Sequence, residues 1–148
     1  MTKYVSLIIR LAFFTCFLAV GIAAQASQVK TNSLPDKIIV LYIYETGFIT
    51  DGRDTINSDD LAQYIRERLF KNYTGTGKMY DKIKLQKESE NIPTPVLEIV
   101  LKEIKAGQKA ALAEICLHKY KKYYDGLDKK KQRKIMKQFP VLFQSDYN

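Results

Sequence analysis

Seven residues between Leu97 and His118 limit the fold more than anything else in the chain. Leu97, Leu101, Ile104, Gln108, Ala111, Ile115 and His118 follow one another in alternating steps of four and three. That spacing places them on one stripe of a helix and is incompatible with the two-residue period of a strand. Thr94-Pro95 predicts where the helix begins, with Thr94 as the cap and Pro95 in the first turn, where its missing N–H is not needed. Gly107 is a weak point within it, and Asp125-Gly126 predicts its end. One face of this helix is expected to pack on a sheet, with the second half protruding. Gln108 and His118 soften the stripe, and His118 reads as a partly buried or rim residue and not as a ligand.

The elements before this helix are short. Ile38 to Tyr44 (IIVLYIY) is a continuous β-branched and aromatic run of strand length, which predicts a strand covered on both faces. Asp51-Gly52, flanked by Gly47-Phe48-Ile49-Thr50 and Thr55-Ile56-Asn57, predicts a small hairpin. Ser58-Asp59-Asp60 opens a helix, with short polar side chains to cap it and acids suited to the positive end of its dipole. Leu61, Ile65 and Leu69 lie on one face of that helix, which is expected to end before Gly75-Thr76-Gly77. In Lys82-Ile83-Lys84-Leu85-Gln86 the period is two, so Ile83 and Leu85 point inward from a half-exposed strand. Asp128 caps a last, short helix from about Lys129 to Gln138, with Ile135 and Met136 as its few apolar residues. Three lysines at its start oppose its dipole. Phe139-Pro140-Val141-Leu142-Phe143 is an apolar close that either adds to a sheet edge or covers the core. The fold class is therefore α+β: a small mixed β-sheet packed by helices, one of them long, with a short basic helix at the C-terminus.

The N-terminus sets the compartment. Lys3 and Arg10 precede an uncharged run, and Ala24-Gln25-Ala26 offers the small-x-small pattern that a signal peptidase accepts. Residues 1–26 are expected to be a cleaved signal peptide. The alternatives are an uncleaved membrane anchor, with Arg10 held at an interface, or a lipoprotein on Cys16, for which Phe13-Phe14-Thr15 is a poor lipobox. Each places the remainder outside the cytoplasm. Residues 27–37 read as a polar linker, 38–106 as the main domain and 107–148 as a basic helical extension.

Residues 27–148 retain one cysteine, Cys116, so no intramolecular disulfide is possible, and a buried inert thiol is expected. His118 is the only histidine. One His and one free Cys are poor material for a zinc site or a nucleophilic pair. The chain contains no Gly-rich phosphate loop, HExxH or GxSxG. A non-enzymatic protein without cofactor or metal is the expectation, with no catalytic residues to name.

The net charge of +8 is unevenly spread. Lys102 to Lys137 holds twelve basic and four acidic residues, against ten and eleven in residues 27–101. Such a run is most often a solvated helix face. For an exported chain its natural partner is an anionic lipid, lipopolysaccharide or cell-wall polymer, not nucleic acid. The candidate anionic-partner face comprises Lys119, Lys121, Lys122, Lys129, Lys130, Lys131, Arg133 and Lys134, with Tyr120, Tyr123 and Tyr124 among them.

Strand, hairpin, "SDDLAQYIRERL" helix, strand and "PTPVLEIVLKEIKAG" helix, in that order, resemble the periplasmic domain of the ExbD/TolR biopolymer-transport family. "LAEICLHKYKKYYDGLDKKKQRKIMKQFPVLF" is similar to the C-terminal extension of one ExbD-like subgroup. The likeness covers about residues 38 to 144. It implies a stator component that works beside a multi-spanning ExbB-like partner and a TonB-like envelope-spanning protein, with periplasmic domains that dimerise and sometimes contact peptidoglycan. The family's proton path is usually assigned to an aspartate in the membrane helix. Residues 1–35 contain no Asp or Glu, so no proton-carrying residue is transferred. The expected function is a non-enzymatic envelope protein acting through a homodimer or a partner, without pumping protons. The alternative is a secreted module that binds an anionic envelope polymer.

Overall fold

The computed structural model describes residues 38–148. The signal or anchor and the linker expected in residues 1–37 lie outside them. Four strands, β1 (Ile38–Ile43), β2 (Ile49–Thr50), β3 (Thr55–Ile56) and β4 (Lys82–Lys87), form one sheet in the order β3-β2-β1-β4. β1 runs antiparallel to β2 and parallel to β4, paired in register from Ile38↔Lys82 to Ile43↔Lys87. Among the described residues there are also three α-helices: α1 (Leu61–Thr76), α2 (Thr94–Tyr120) and α3 (Lys129–Gln138). The fold is α+β with a small mixed sheet.

Period-two alternation sorts the strand residues. Ile39, Leu41 and Ile43 of β1 and Ile83 and Leu85 of β4 are buried on one face, beneath Leu61, Ile65 and Leu69 of α1 and Val100, Ile104, Ala111 and Ile115 of α2. Burying one such aliphatic side chain contributes about 1.5–3 kcal/mol, so this layer dominates the stability of the domain. Among the described residues, the expected double coverage of Ile38 to Tyr44 is not found. Both helices lie on the same face, and on the other side Ile38 and Tyr44 are 38% and 40% exposed. An apolar run at every position marks a strand but does not say which of its faces a helix will cover.

The hairpin turns where Asp51-Gly52 predicts it. Gly52 adopts a positive φ of 86°, and Asp51 Oδ1 accepts from the Arg53 and Asp54 amides at 3.0 and 2.9 Å. The helix ends differ from expectation. Ser58–Asp60 forms a 3-10 turn and caps nothing with its side chains; Asn57 Nδ2 donates to Asp60 Oδ2 instead. α1 continues through Gly75 to Thr76 and stops at Gly77, which takes the left-handed conformation. At the start of α2, Pro93 occupies the cap position, and Thr94 is already helical without a side-chain cap. α2 ends at Tyr120, with Lys121 in the left-handed region, while Asp125-Gly126 belongs to a separate 3-10 turn over Tyr124–Gly126.

α2 does not break at Gly107. Gly107 is buried where the helix crosses α1, and a Cβ there would stand 2.6 Å from the Ala62 carbonyl oxygen. The second half of α2 is held by the C-terminal segment and does not protrude. Asp128 Oδ1 accepts from the Lys131 amide at 2.9 Å, so α3 is capped where its sequence predicts. Ile135 is buried, while Met136 is 48% exposed. Phe139, Val141 and Leu142 then enter the same core, the last two from a 3-10 turn over Pro140–Phe143. Residues 107–148 are accordingly part of one packed unit with residues 38–106.

The chain end also occupies the outer edge of β4. Gln144 Oε1 accepts from the Ile83 amide at 2.8 Å and its Nε2 donates to the Ile83 carbonyl at 2.7 Å, so the side-chain amide stands in for a strand residue. The Leu85 amide donates to the Tyr147 carbonyl at 2.6 Å. The two roles offered for the apolar close, covering the core and joining a sheet edge, fall to successive residues of the tail. A capped edge is also protected against unwanted strand pairing.

Candidate functional site: a basic groove beside the C-terminal helix

Lys130, Arg133, Lys134 and Lys137 are spaced three, four and seven residues from the first, which puts them on one face of α3. Ile135, on the opposite face, is buried and fixes that orientation. Lys119 in the last turn of α2 faces them, and with Gln138 the five cations line a groove of ≈ 580 Å³. Lys119 Nζ donates to Gln138 Oε1 at 2.8 Å and lies 5.7 and 5.5 Å from the centres of the Tyr120 and Phe139 rings. Aromatic faces and an amide oxygen stabilise that ammonium without neutralising it. Among the described residues, no carboxylate lies within ion-pair distance of any of the five.

Four of the eight residues read from the sequence as a candidate anionic-partner face therefore converge: Lys119, Lys130, Arg133 and Lys134. The other four do not line the groove. Lys131 Nζ is paired with Asp128 Oδ2 at 2.9 Å. That hydrogen bond and charge hold the Lys131 pKa above its ordinary value and the Asp128 carboxyl below its own. Lys121 serves as the left-handed end of α2. Lys122 and Lys129 lie outside the lining residues. Lys137 was missed, although its place one helical step beyond Arg133 and Lys134 was readable from the spacing.

His118 sits on the rim as expected. It is exposed and packs edge-on against Tyr73 and Phe70, with ring centres 5.7 and 6.2 Å away. Cys116 is fully buried, and burial alone pushes its thiol pKa up, which disfavours the reactive thiolate. Among the described residues no group of His, Cys, Asp and Glu is placed to hold a metal ion, and no helix is long and apolar enough to cross a membrane.

A second polar constellation had no signal in the sequence. Asp51, only 5% exposed at its side chain, accepts from the Tyr64 hydroxyl at 2.6 Å as well as from the Arg53 and Asp54 amides. Burial pushes the Asp51 pKa up. The Asp54 amide, the Tyr64 hydroxyl, the Arg53 amide and the Arg68 charge together outweigh it and hold the carboxyl below its ordinary value. Burial, and then the bond to Asp51, push the Tyr64 pKa well up. Arg68 Nη2 stands 3.9 Å from Asp51 Oδ2, and its guanidinium lies 5.8 Å from the centre of the Tyr64 ring. Residues 51, 64 and 68 come from a turn and a helix, and only folding brings them together.

The chain matches no family model, no curated protein and no solved structure.

Proposed function

We propose that this chain is a non-enzymatic cell-envelope protein, built on the plan of the periplasmic domain of an ExbD/TolR-type subunit and acting by contact with a partner. The observation that carries the reading is the order of elements on the sheet. A strand, a hairpin, a helix, a strand paired parallel to the first and a long helix follow one another over Ile38 to Tyr120. Support also comes from the segment resembling the subgroup's extension, which packs into the same core and so belongs to the domain. The partner is a second copy of the chain or an ExbB- or TonB-like envelope protein. Without a carboxylate in residues 1–35, the chain would transmit or receive force and not carry protons.

Crosslinking in intact cells, followed by fractionation and measurement of the mass and first residue of the chain, tests this. The expected result is an envelope-located chain crosslinked to itself or to a membrane or envelope protein. A chain found with the cytoplasmic proteins, uncrosslinked and retaining Met1, would exclude it.

A second reading, a module that binds an anionic envelope polymer, is favoured by the five unneutralised cations of the groove. Charges converging on one concave surface raise the local concentration of a polyanion, an effect that salt screens over about 8–10 Å. Retention on cell-wall or lipopolysaccharide preparations should fall steeply with salt, and replacing Lys130, Arg133 and Lys134 with Gln should remove the salt dependence. Retention indifferent to both would eliminate this reading.

A further inference from the structure

A notch interrupts the sheet beside the first half of β1. β4 pairs with the whole of β1, but β2 pairs only with Tyr42 and Ile43. Among the described residues, no strand continues β2 alongside Ile38 to Leu41. Two hydrogen bonds decide which main-chain groups face this gap. The Glu88 amide donates to the Ile43 carbonyl at 2.9 Å on the β4 side, and the Tyr44 amide donates to the Phe48 carbonyl at 3.0 Å on the hairpin side. Within a strand, the N–H and C=O of one residue share a side, and the side alternates from residue to residue. Ile38 and Val40 therefore direct their N–H and C=O groups into the notch.

The notch is a pocket of ≈ 490 Å³ lined by Ile38, Val40 and Tyr42 along β1, by Gly52 and Arg53 of the hairpin turn and by Arg68 of α1. Its charge is unbalanced. Asp51 is the carboxylate in its wall, and three donors already occupy it: the Tyr64 hydroxyl and the Arg53 and Asp54 amides. Arg68 reaches Asp51 only at 3.9 Å, and its Nε is buried without a partner. Among the described residues, the Arg53 guanidinium has no carboxylate within ion-pair distance. Two guanidiniums thus flank one end of an open strand edge, and an apolar and aromatic row flanks its length.

We propose that this notch binds an extended peptide through its free C-terminal carboxylate. The peptide would lie along β1, exchange main-chain hydrogen bonds with Ile38 and Val40, and place its carboxylate between Arg53 and Arg68. Guanidiniums suit a carboxylate because their planar N–H donors match its two oxygens. Adding a strand to an open edge supplies the main-chain bonds without demanding a particular sequence. With the carboxylate at the turn end, beside Tyr42, the peptide runs parallel to β1. Four residues at about 3.3 Å each fill the gap. This site is separate from the basic groove and depends on neither reading of the function.

The test is fluorescence anisotropy with the full chain and an N-terminally labelled tetrapeptide of alternating valine and threonine. Three peptides are compared: one with a free carboxylate, one amidated at the C-terminus and one N-methylated at alternate residues. The free acid should bind saturably, with the other two at least ten-fold weaker. Arg53→Gln should narrow the difference between acid and amide at least several-fold, Arg68 retaining the remainder, and Lys134→Gln, in the basic groove, should leave both unchanged. Arg53 serves better than Arg68 here, because its guanidinium makes no bond that the hairpin needs. The proposal fails if the acid does not bind, if acid and amide bind alike to the unaltered chain, or if N-methylation has no effect. It also fails if Lys134→Gln, and not Arg53→Gln, abolishes binding.

Discussion

The Tyr147 hydroxyl donates to Gln108 Oε1 at 2.8 Å, and Gln108 Nε2 donates to the Val141 carbonyl at 2.6 Å. The last residues of the chain are thereby tied to the middle of α2, 39 positions away. Gln108 is 3% exposed, so its amide would carry the full desolvation penalty if either partner were lost. Tyr147→Phe keeps the ring and removes only the donor. It should lower stability by about 1–3 kcal/mol, read as a lower urea midpoint with an unchanged slope. An unchanged midpoint would show that Gln108 finds another donor.

Gly107→Ala sets two effects against each other. In an exposed helix interior the change gains about 1 kcal/mol, because glycine is the poorer helix former. At this position the new Cβ meets the Ala62 carbonyl oxygen at 2.6 Å and Ile65 Cβ at 2.7 Å, neither of which can swing aside. Overpacking of this kind typically costs about 1–3 kcal/mol, so the sterics should win and thermal unfolding should move downward. Gly75→Ala is the control: nothing lies within 4 Å of its Cβ position, and its effect should be neutral or stabilising. If Gly107→Ala is the stabilising change, α1 and α2 do not cross as closely as described.

The two glycines illustrate what a sequence discloses. Leu61, Ile65 and Leu69 declare a buried face by their spacing, and all three are fully buried. Asp128 declares a cap because its partner, Lys131, is three residues away. Signals of this kind are local, and they recovered the class of the fold and the position of α3. Gly107 reads as a weakness because the residue it must admit, Ala62, lies on another helix. Gln108 reads as a softened core position because its partners are Val141 and Tyr147. The basic groove was half legible: charge located the region, and both the spacing that adds Lys137 and the three-residue step from Asp128 to Lys131 are local. That Lys119 of α2 faces α3 across the groove is a property of three dimensions. The Asp51 constellation was not legible, since nothing in the sequence singles out Tyr64 and Arg68 as its neighbours.

That constellation predicts an acid-sensitive contribution to stability. The folded Asp51 pKa lies below the ordinary value of 3.8, because the hydrogen bonds and the Arg68 charge outweigh burial. A depressed folded pKa means that the unfolded chain takes up its proton first as pH falls. The contribution is therefore complete well above 3.8 and is lost as pH falls through the lower folded value. Asp51→Asn removes the charged acceptor from the Tyr64 hydroxyl and the two turn amides, and bonds to a charged group are worth about 1.5–3 kcal/mol. The gap in urea stability between parent and Asp51→Asn should be constant from about pH 6 to 8 and narrow below about pH 4, where the parent loses what the variant never had. Tyr64→Phe should act differently. It deletes one stabilising donor, raises the folded Asp51 pKa towards 3.8, and leaves a smaller acid-sensitive contribution. A parent-to-Asn gap of equal size at pH 7 and pH 3 would mean that charge at Asp51 contributes nothing to the hairpin, leaving only the geometry of its hydrogen bonds.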